Sequence, residues 1–190
     1  MKKPYVVGIA GGTASGKTTL AATLEETLSE LSVRVFNMDK YFKDKEDMPQ
    51  VTSHVSGIVY ADFNCPGTVD FPQLVKDLQS AIDGGEHDVV IIEGLLTLWE
   101  DCIYTLLDLK LFIDCQADER IIRRIKRSMA TRSGATIDGI TTIYLDMVRF
   151  RHDQYVEPSK WRADLILNGS IASDKALTII SEAIRSAVAQ

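Results

Sequence analysis

The sequence predicts an α/β fold, a three-layer sandwich around a parallel five-stranded sheet. Two observations predict it. Five short runs are nearly continuous in apolar and β-branched residues: YVVGIA (5–10), VRVFN (33–37), VVIIEG (89–94), LKLFID (109–114) and LILNG (165–169). Strands covered on both faces read this way, whereas half-exposed strands alternate. Between the runs lie amphipathic helical patterns: Lys17 to Leu31, Phe71 to Ile82, Asp118 to Met129, Ile137 to Val156 and Asp174 to Ala189. Strand–helix alternation implies right-handed crossovers, which place helices on both faces of the sheet.

The first strand runs into Gly11-Gly12-Thr13-Ala14-Ser15-Gly16-Lys17-Thr18, then Thr19 and a helix. This matches G-x-x-x-x-G-K-[ST] in the strand–turn–helix setting that the motif requires. Glycines let the backbone curl until several N–H groups face one anion, and the helix adds its positive N-terminal end. Lys17 then reaches the β- and γ-phosphates, and the Thr18 hydroxyl can ligate Mg²⁺. The expectation is triphosphate binding along residues 11–19. The D-x-x-G and N-K-x-D strings of a GTPase do not occur, nor does the L-S-G-G-Q string of transporter ATPases.

The second strand leads into NMDKYF, and the third closes on Glu93 in VVIIEG. In a parallel sheet, C-terminal strand ends converge on the crevice beside the phosphate turn. One of the two carboxylates, Asp39 or Glu93, can then accept an acceptor hydroxyl's proton while the other holds the metal beside Thr18. Residues 40–69 are polar and aperiodic, and too long for a plain connection. They are read as the acceptor-binding loop.

After the fourth strand comes a basic segment with Arg120, Arg123, Arg124, Lys126, Arg127 and Arg132, free of acids beyond Glu119. Positions 120, 123, 124 and 127 make one helical stripe and Ile121, Ile122, Ile125 and Met129 another. The stripe runs into the small-residue break ATRSGAT. It is read as a helical, arginine-rich lid over about 120–137 that brings Arg127 and Arg132 to the transferring phosphoryl group, with Arg124 on the nucleotide. Arg120 and Lys126 are read as surface residues. Beyond the lid, Ile137, Ile140, Tyr144, Met147, Val148 and Tyr155 return a helix to the core. Its Arg149, Arg151 and His152 are left facing solvent or substrate, and His152 is not read as a base. His54 and His87 form no metal constellation.

At 190 residues the chain suits one domain, 1–190. A net charge of −6 argues against nucleic acid as the main partner. No apolar run approaches the ~18 residues of a membrane span, and the run near MKKPYVV is too short for a signal peptide. Cys65, Cys102 and Cys115 form no C-x-x-C pair and read as buried thiols in a reducing, cytoplasmic setting. A homo-oligomer is compatible with the sequence.

GIAGGTASGKTTL, the Asp39-Lys40-Tyr41-Phe42 element, IIEGLL, the arginine-rich segment and QYVEPSKWRADLIL together resemble the phosphoribulokinase/uridine kinase family, uridine kinases in particular. The likeness covers nearly the whole chain. It implies a P-loop kinase sheet and ATP- and Mg²⁺-dependent phosphotransfer to the hydroxyl of a small metabolite. It gives Lys17 and Thr18 the P-loop roles, Asp39 that of catalytic base and Glu93 that of metal-associated acid. It also places the acceptor on Tyr41, Phe42, Asp62, Phe63 and Asn64. Two departures stand out. The family's sugar-gripping N-F-D-H-P motif reads Asp62-Phe63-Asn64-Cys65-Pro66 here, with acid and amide exchanged. The pyrimidine-reading hairpin of uridine kinases has no room between the helix ending near Asp83 and strand DVVIIEG. Nicotinamide riboside kinases, which also lack that hairpin, are therefore the alternative within the family. A nucleotide-binding protein without catalysis is the alternative outside it.

Overall fold

A computed structural model describes residues 2–190. Five strands form one parallel sheet in the order β2-β5-β1-β6-β7: β1 (Tyr5–Gly11), β2 (Val33–Asn37), β5 (Val89–Glu93), β6 (Leu109–Asp114) and β7 (Leu165–Asn168). All five expected strands are present within a residue or so of their expected bounds. The two remaining strands, β3 (Gln50–Thr52) and β4 (Val59–Ala61), form a separate antiparallel hairpin inside the segment read as aperiodic. Each is three residues long, too short for any period to register in sequence.

Alternation along each strand feeds two cores. Val6, Ala10, Val90, Ile92 and Phe112 point to one face, where α2 (Phe71–Gly84) buries Leu74, Leu78 and Ile82 against them. Val7, Ile9, Val89, Ile91 and Leu111 point to the other, against Ala21, Leu24 and Leu28 of the α1 region and Ile180 and Ile184 of the C-terminal helix Asp174–Val188. Apolar burial on both faces is the main stabilising contribution, and it produces the three layers. Helix α1 (Lys17–Thr27) ends short of the expected Leu31. There the Thr27 carbonyl accepts a 2.7 Å bond from Arg185 Nη2, which satisfies an open helix end.

A short helix α3 (Asp101–Tyr104) precedes β6, and α4 (Ala117–Thr131) follows it. Residues 137–159 are then continuously helical, with π-helical turns at Tyr144–Val148 and His152–Val156. Only the far end of this long helix returns to the main core, through Tyr155 and Val156. Tyr144, Met147 and Val148 pack instead with Val51 and Tyr60 of the hairpin and Ile121 of α4, and Ile137 is exposed. Cys65 and Cys115 are buried as expected, but Cys102 is exposed on α3. No described helix is long and apolar enough to cross a membrane.

Candidate active site

Strand register brings the polar groups together. Ile9 and Asn37 both stand opposite Glu93, so β1, β2 and β5 end side by side. β1 continues into the glycine-rich turn, where Gly11 (φ 147°), Ala14 (φ 58°) and Gly16 (φ 110°) take left-handed conformations. Gly11 is required sterically as well, because a Cβ there would lie 2.6 Å from the Ile113 carbonyl oxygen. The turn is closed by Ser15 N–H donating to the Gly12 carbonyl at 3.2 Å. Lys17 Nζ donates to the same carbonyl at 3.0 Å. Helix α1 begins with no side-chain cap, and the buried Ser15 Oγ has no partner. Open donors at a helix start in this curl are what a phosphate group satisfies.

Glu93 is only 3% exposed, and its Oε1 accepts from Thr18 Oγ1 at 2.9 Å and from Asn37 Nδ2 at 2.6 Å. Burial pushes its carboxyl above the usual range, with Lys17 and the Thr18 bond pulling the other way. Burial likewise lowers Lys17, opposed by Glu93 and then Asp39. Asp39 is exposed at the start of a short 3₁₀ turn, with its N–H held by Asn37 Oδ1 at 2.8 Å. Asn37 therefore ties the two acids together, a role the sequence reading missed. The available signal was a lone amide closing an apolar strand two residues before Asp39.

The arginines divide differently from the sequence expectation. Arg120 is no surface residue: it is 4% exposed, and its Nε donates to the Cys115 carbonyl at 2.9 Å. The stripe spacing is right, but its first member lies under the phosphate turn. Arg120 Nη1 stands 2.6 Å from where a Cβ on Gly12 would be, so glycine at a variable position of the motif is explained by a guanidinium. Lys126 is exposed, as expected. Arg123 is tied down by Glu119 and by the Gly169 and Ser170 carbonyls. Arg124 reaches Thr13 Oγ1 at 3.2 Å. Its Nε is buried without a partner, and burial lowers its pKa, helped by Arg127 and Arg132 nearby. Among the described residues, none of these three guanidinium groups has a carboxylate partner. Like charges gathered without a counter-charge make a strong anion site.

On the other side of the phosphate turn a cavity of about 430 Å³ opens between Gly16, Thr19, Leu20, Arg123, Leu167 and the residues after β7. Its size suits a small organic ring system. Sequence reading missed this wall, because nothing in Asn168–Asp174 marks it before the chain folds back on α1.

Comparison with known proteins decides the family. The phosphoribulokinase/uridine kinase family profile matches residues 73–174. The uridine kinase of Clostridium botulinum (strain Kyoto / Type A2) is 33% identical over 189 residues, covering 88% of this chain and 89% of that protein. The chain belongs to the phosphoribulokinase/uridine kinase family. The uridine kinase of Deinococcus deserti is 31% identical over 208 residues, with 98% of each chain covered. A solved structure described as a possible uridine kinase from Bacillus stearothermophilus superposes with a TM-score of 0.59 at 20% identity, covering 88% of this chain and 90% of that one, and so shares the fold.

In this family member the loop 40–69 is held inward. Tyr41 Oη donates to Asp77 Oδ2 on α2 at 3.1 Å. Phe42 packs on the main core and meets the exposed Phe63 with ring centroids 6.0 Å apart. Asp62 is wholly buried: Oδ1 accepts from the Asn64 N–H at 3.0 Å and Oδ2 from Arg151 Nε at 2.6 Å. Asn64, 8% exposed, turns its amide toward the Met147 sulfur. Of the residues expected to face the acceptor, Phe42 and Phe63 stand together, whereas Tyr41, Asp62 and Asn64 are bonded into the protein.

Proposed function

We propose that this kinase moves the γ-phosphoryl group of ATP to a hydroxyl of a nucleoside-like acceptor in the cytoplasm. The observation that carries the reading is the cluster Thr18–Glu93–Asn37–Asp39 at three adjacent strand ends beside Lys17. The phosphate turn, residues 11–19, holds the triphosphate, and the cavity beside Arg123 takes the base. Lys17 neutralises the phosphates. Asp39, exposed and fixed through its own N–H, accepts the acceptor's proton. Thr18, Asp39 and Glu93 are hard oxygen donors of the kind Mg²⁺ takes, and no described cluster of three or more acidic, Cys or His side chains could cage a metal alone. Phosphate oxygens would complete its shell. When bound, Mg²⁺ supplies charge neutralisation on the phosphates.

Residues 1–190 act as one domain in this reading, with residues 120–137 closing as a lid and 40–69 meeting the acceptor. Arg124, Arg127 and Arg132 then surround charge that develops in transfer. Arg127→Ala or Arg132→Ala should lower kcat more than it weakens ATP binding, since contacts completed only on closure act on the rate. Steady-state kinetics beside equilibrium ATP binding checks this. Equal loss in both quantities would make the arginines a binding surface only.

ATP consumption with Mg²⁺ across ribonucleosides and sugar-like alcohols tests the function as a whole. Turnover with no hydroxyl compound, with ATP still bound, would leave a nucleotide-binding protein instead. A non-pyrimidine acceptor such as nicotinamide riboside is favoured as second reading by one observation. Only residues 85–88 join α2 to β5, starting at a left-handed Gly85. That link leaves no segment there to read a base edge. Uridine and cytidine should then differ by no more than the about 10–200-fold that apolar walls provide. A thousandfold preference for uridine over other ribosides would show that another segment reads the base.

A further inference from the structure

The Asp62–Arg151 pair joins residues 89 positions apart, and the functional reading above assigns nothing to Arg151. The carboxylate side chain is 1% exposed and the guanidinium side chain 22%. Both carboxylate oxygens are occupied, one by the Asn64 N–H and the other by Arg151 Nε at 2.6 Å. The Asp62 carbonyl also accepts from the Thr68 hydroxyl. A buried carboxylate without its cation would be strongly unfavourable, so Asp62 is committed to Arg151. Each oxygen keeps a second lone pair, but with the side chain 1% exposed and held by Arg151 the carboxylate presents neither to a ligand hydroxyl.

Arg151 is one of three grips that the long helix keeps on the same loop. Asp146, 6% exposed, accepts from Tyr60 Oη at 2.8 Å and from the Ser56 hydroxyl. Met147 and Val148 pack against Val51 and Tyr60. Asp146 and Arg151 are five residues apart. In a regular α-helix that spacing would leave them about 140° apart around the axis. The π turn Tyr144–Val148, in which Arg149 N–H bonds to the Tyr144 carbonyl, adds a residue to the turn and brings the two toward one face. Such turns commonly mark functional positions.

We propose that Arg151 is a positioning residue for the phosphate acceptor. By fixing Asp62 it sets the placement of the segment from Tyr60 to Pro66, and hence of Phe63 opposite Phe42. The aspartate of this segment serves the protein's own arginine, and acceptor recognition falls to the surface that the pair holds in place. The proposal rests on the reading that residues 40–69 meet the acceptor.

The test is steady-state kinetics of Arg151→Met, Arg151→Lys and the double variant Asp62→Asn/Arg151→Met, each with its thermal midpoint. A misplacement of about 1 Å costs on the order of 10²-fold. Arg151→Met should therefore raise the acceptor KM or lower acceptor kcat/KM by about 10- to 100-fold, with ATP KM within about twofold. Arg151→Lys should recover part of the loss. The double variant buries no unpaired charge, so it should regain stability without regaining acceptor kcat/KM. Parallel loss for ATP and acceptor, or a double variant with wild-type acceptor kinetics, would overturn the proposal. If the wild-type protein phosphorylates no hydroxyl compound, the functional reading fails separately. Amide exchange then decides the clamp. Faster exchange over residues 59–64 in Arg151→Met, with residues 11–19 unchanged, supports it, and unchanged exchange over 59–64 overturns it.

Discussion

Asp39→Asn is expected to lower kcat by about 10²–10⁴-fold, the usual contribution of a general base. The side chain is exposed, and the bond that fixes its position runs from its backbone N–H to Asn37, so the substitution leaves the local fold intact. ATP affinity should remain within about tenfold of wild type, because the asparagine keeps an oxygen and the proposed triphosphate contacts lie in residues 11–19. Lys17→Ala should behave differently. On the proposed reading Lys17 contacts the phosphates in both ground and transition states, so affinity and rate should fall together. Single-turnover kinetics beside equilibrium ATP binding separates the two patterns. Near-normal turnover in Asp39→Asn would remove that residue from the mechanism.

Glu93→Gln should lose activity and gain stability at once. The amide can still accept from Thr18 and Asn37, but it offers no negative charge to a metal or to Lys17. A fall in kcat/KM for ATP of at least roughly 10²-fold is expected, the scale of misplacing one reacting group. The stability effect follows from the carboxyl's raised pKa, caused chiefly by burial. A carboxyl raised on folding contributes most below its unfolded value near 4.5, and that contribution is lost as pH rises through the folded value. Glu93→Gln has no proton to lose there. Its urea midpoint should therefore climb relative to wild type as pH rises from about 4.5 toward neutrality. A midpoint difference that stays flat or reverses would mean that Lys17 and Thr18 outweigh burial. A site that holds an acid at a cost to stability is the expected trade at functional positions.

Strands and phosphate turn were legible in the sequence because their causes are local. The pleat repeats every two residues and the helix every 3.6, so apolar runs such as VVIIEG and the amphipathic stretch 71–82 declare themselves within a few positions. The turn's requirements are contiguous as well: glycines where φ is positive and a lysine at the helix start. Asp39 and Glu93 could be placed from a general property of parallel sheets, whose strand ends converge.

Tertiary structure decided what depends on pairs of residues far apart in the chain. Arg120 looked like any exposed member of a basic stripe, and only the packing of α4 under Gly12 buries it. Asn37 becomes the link between two acids because the register sets it opposite Glu93. Asp62 and Asn64 read as ligand-facing groups, yet the long helix turns one onto Arg151 and the other toward Met147. The sequence alone determined the layers, the strands and the glycine-rich turn, since periodicity and steric freedom act between neighbours along the chain. Which polar groups became buried, paired or free was settled by contacts between residues 56 to 111 positions apart, where register and helix packing determine which atoms meet.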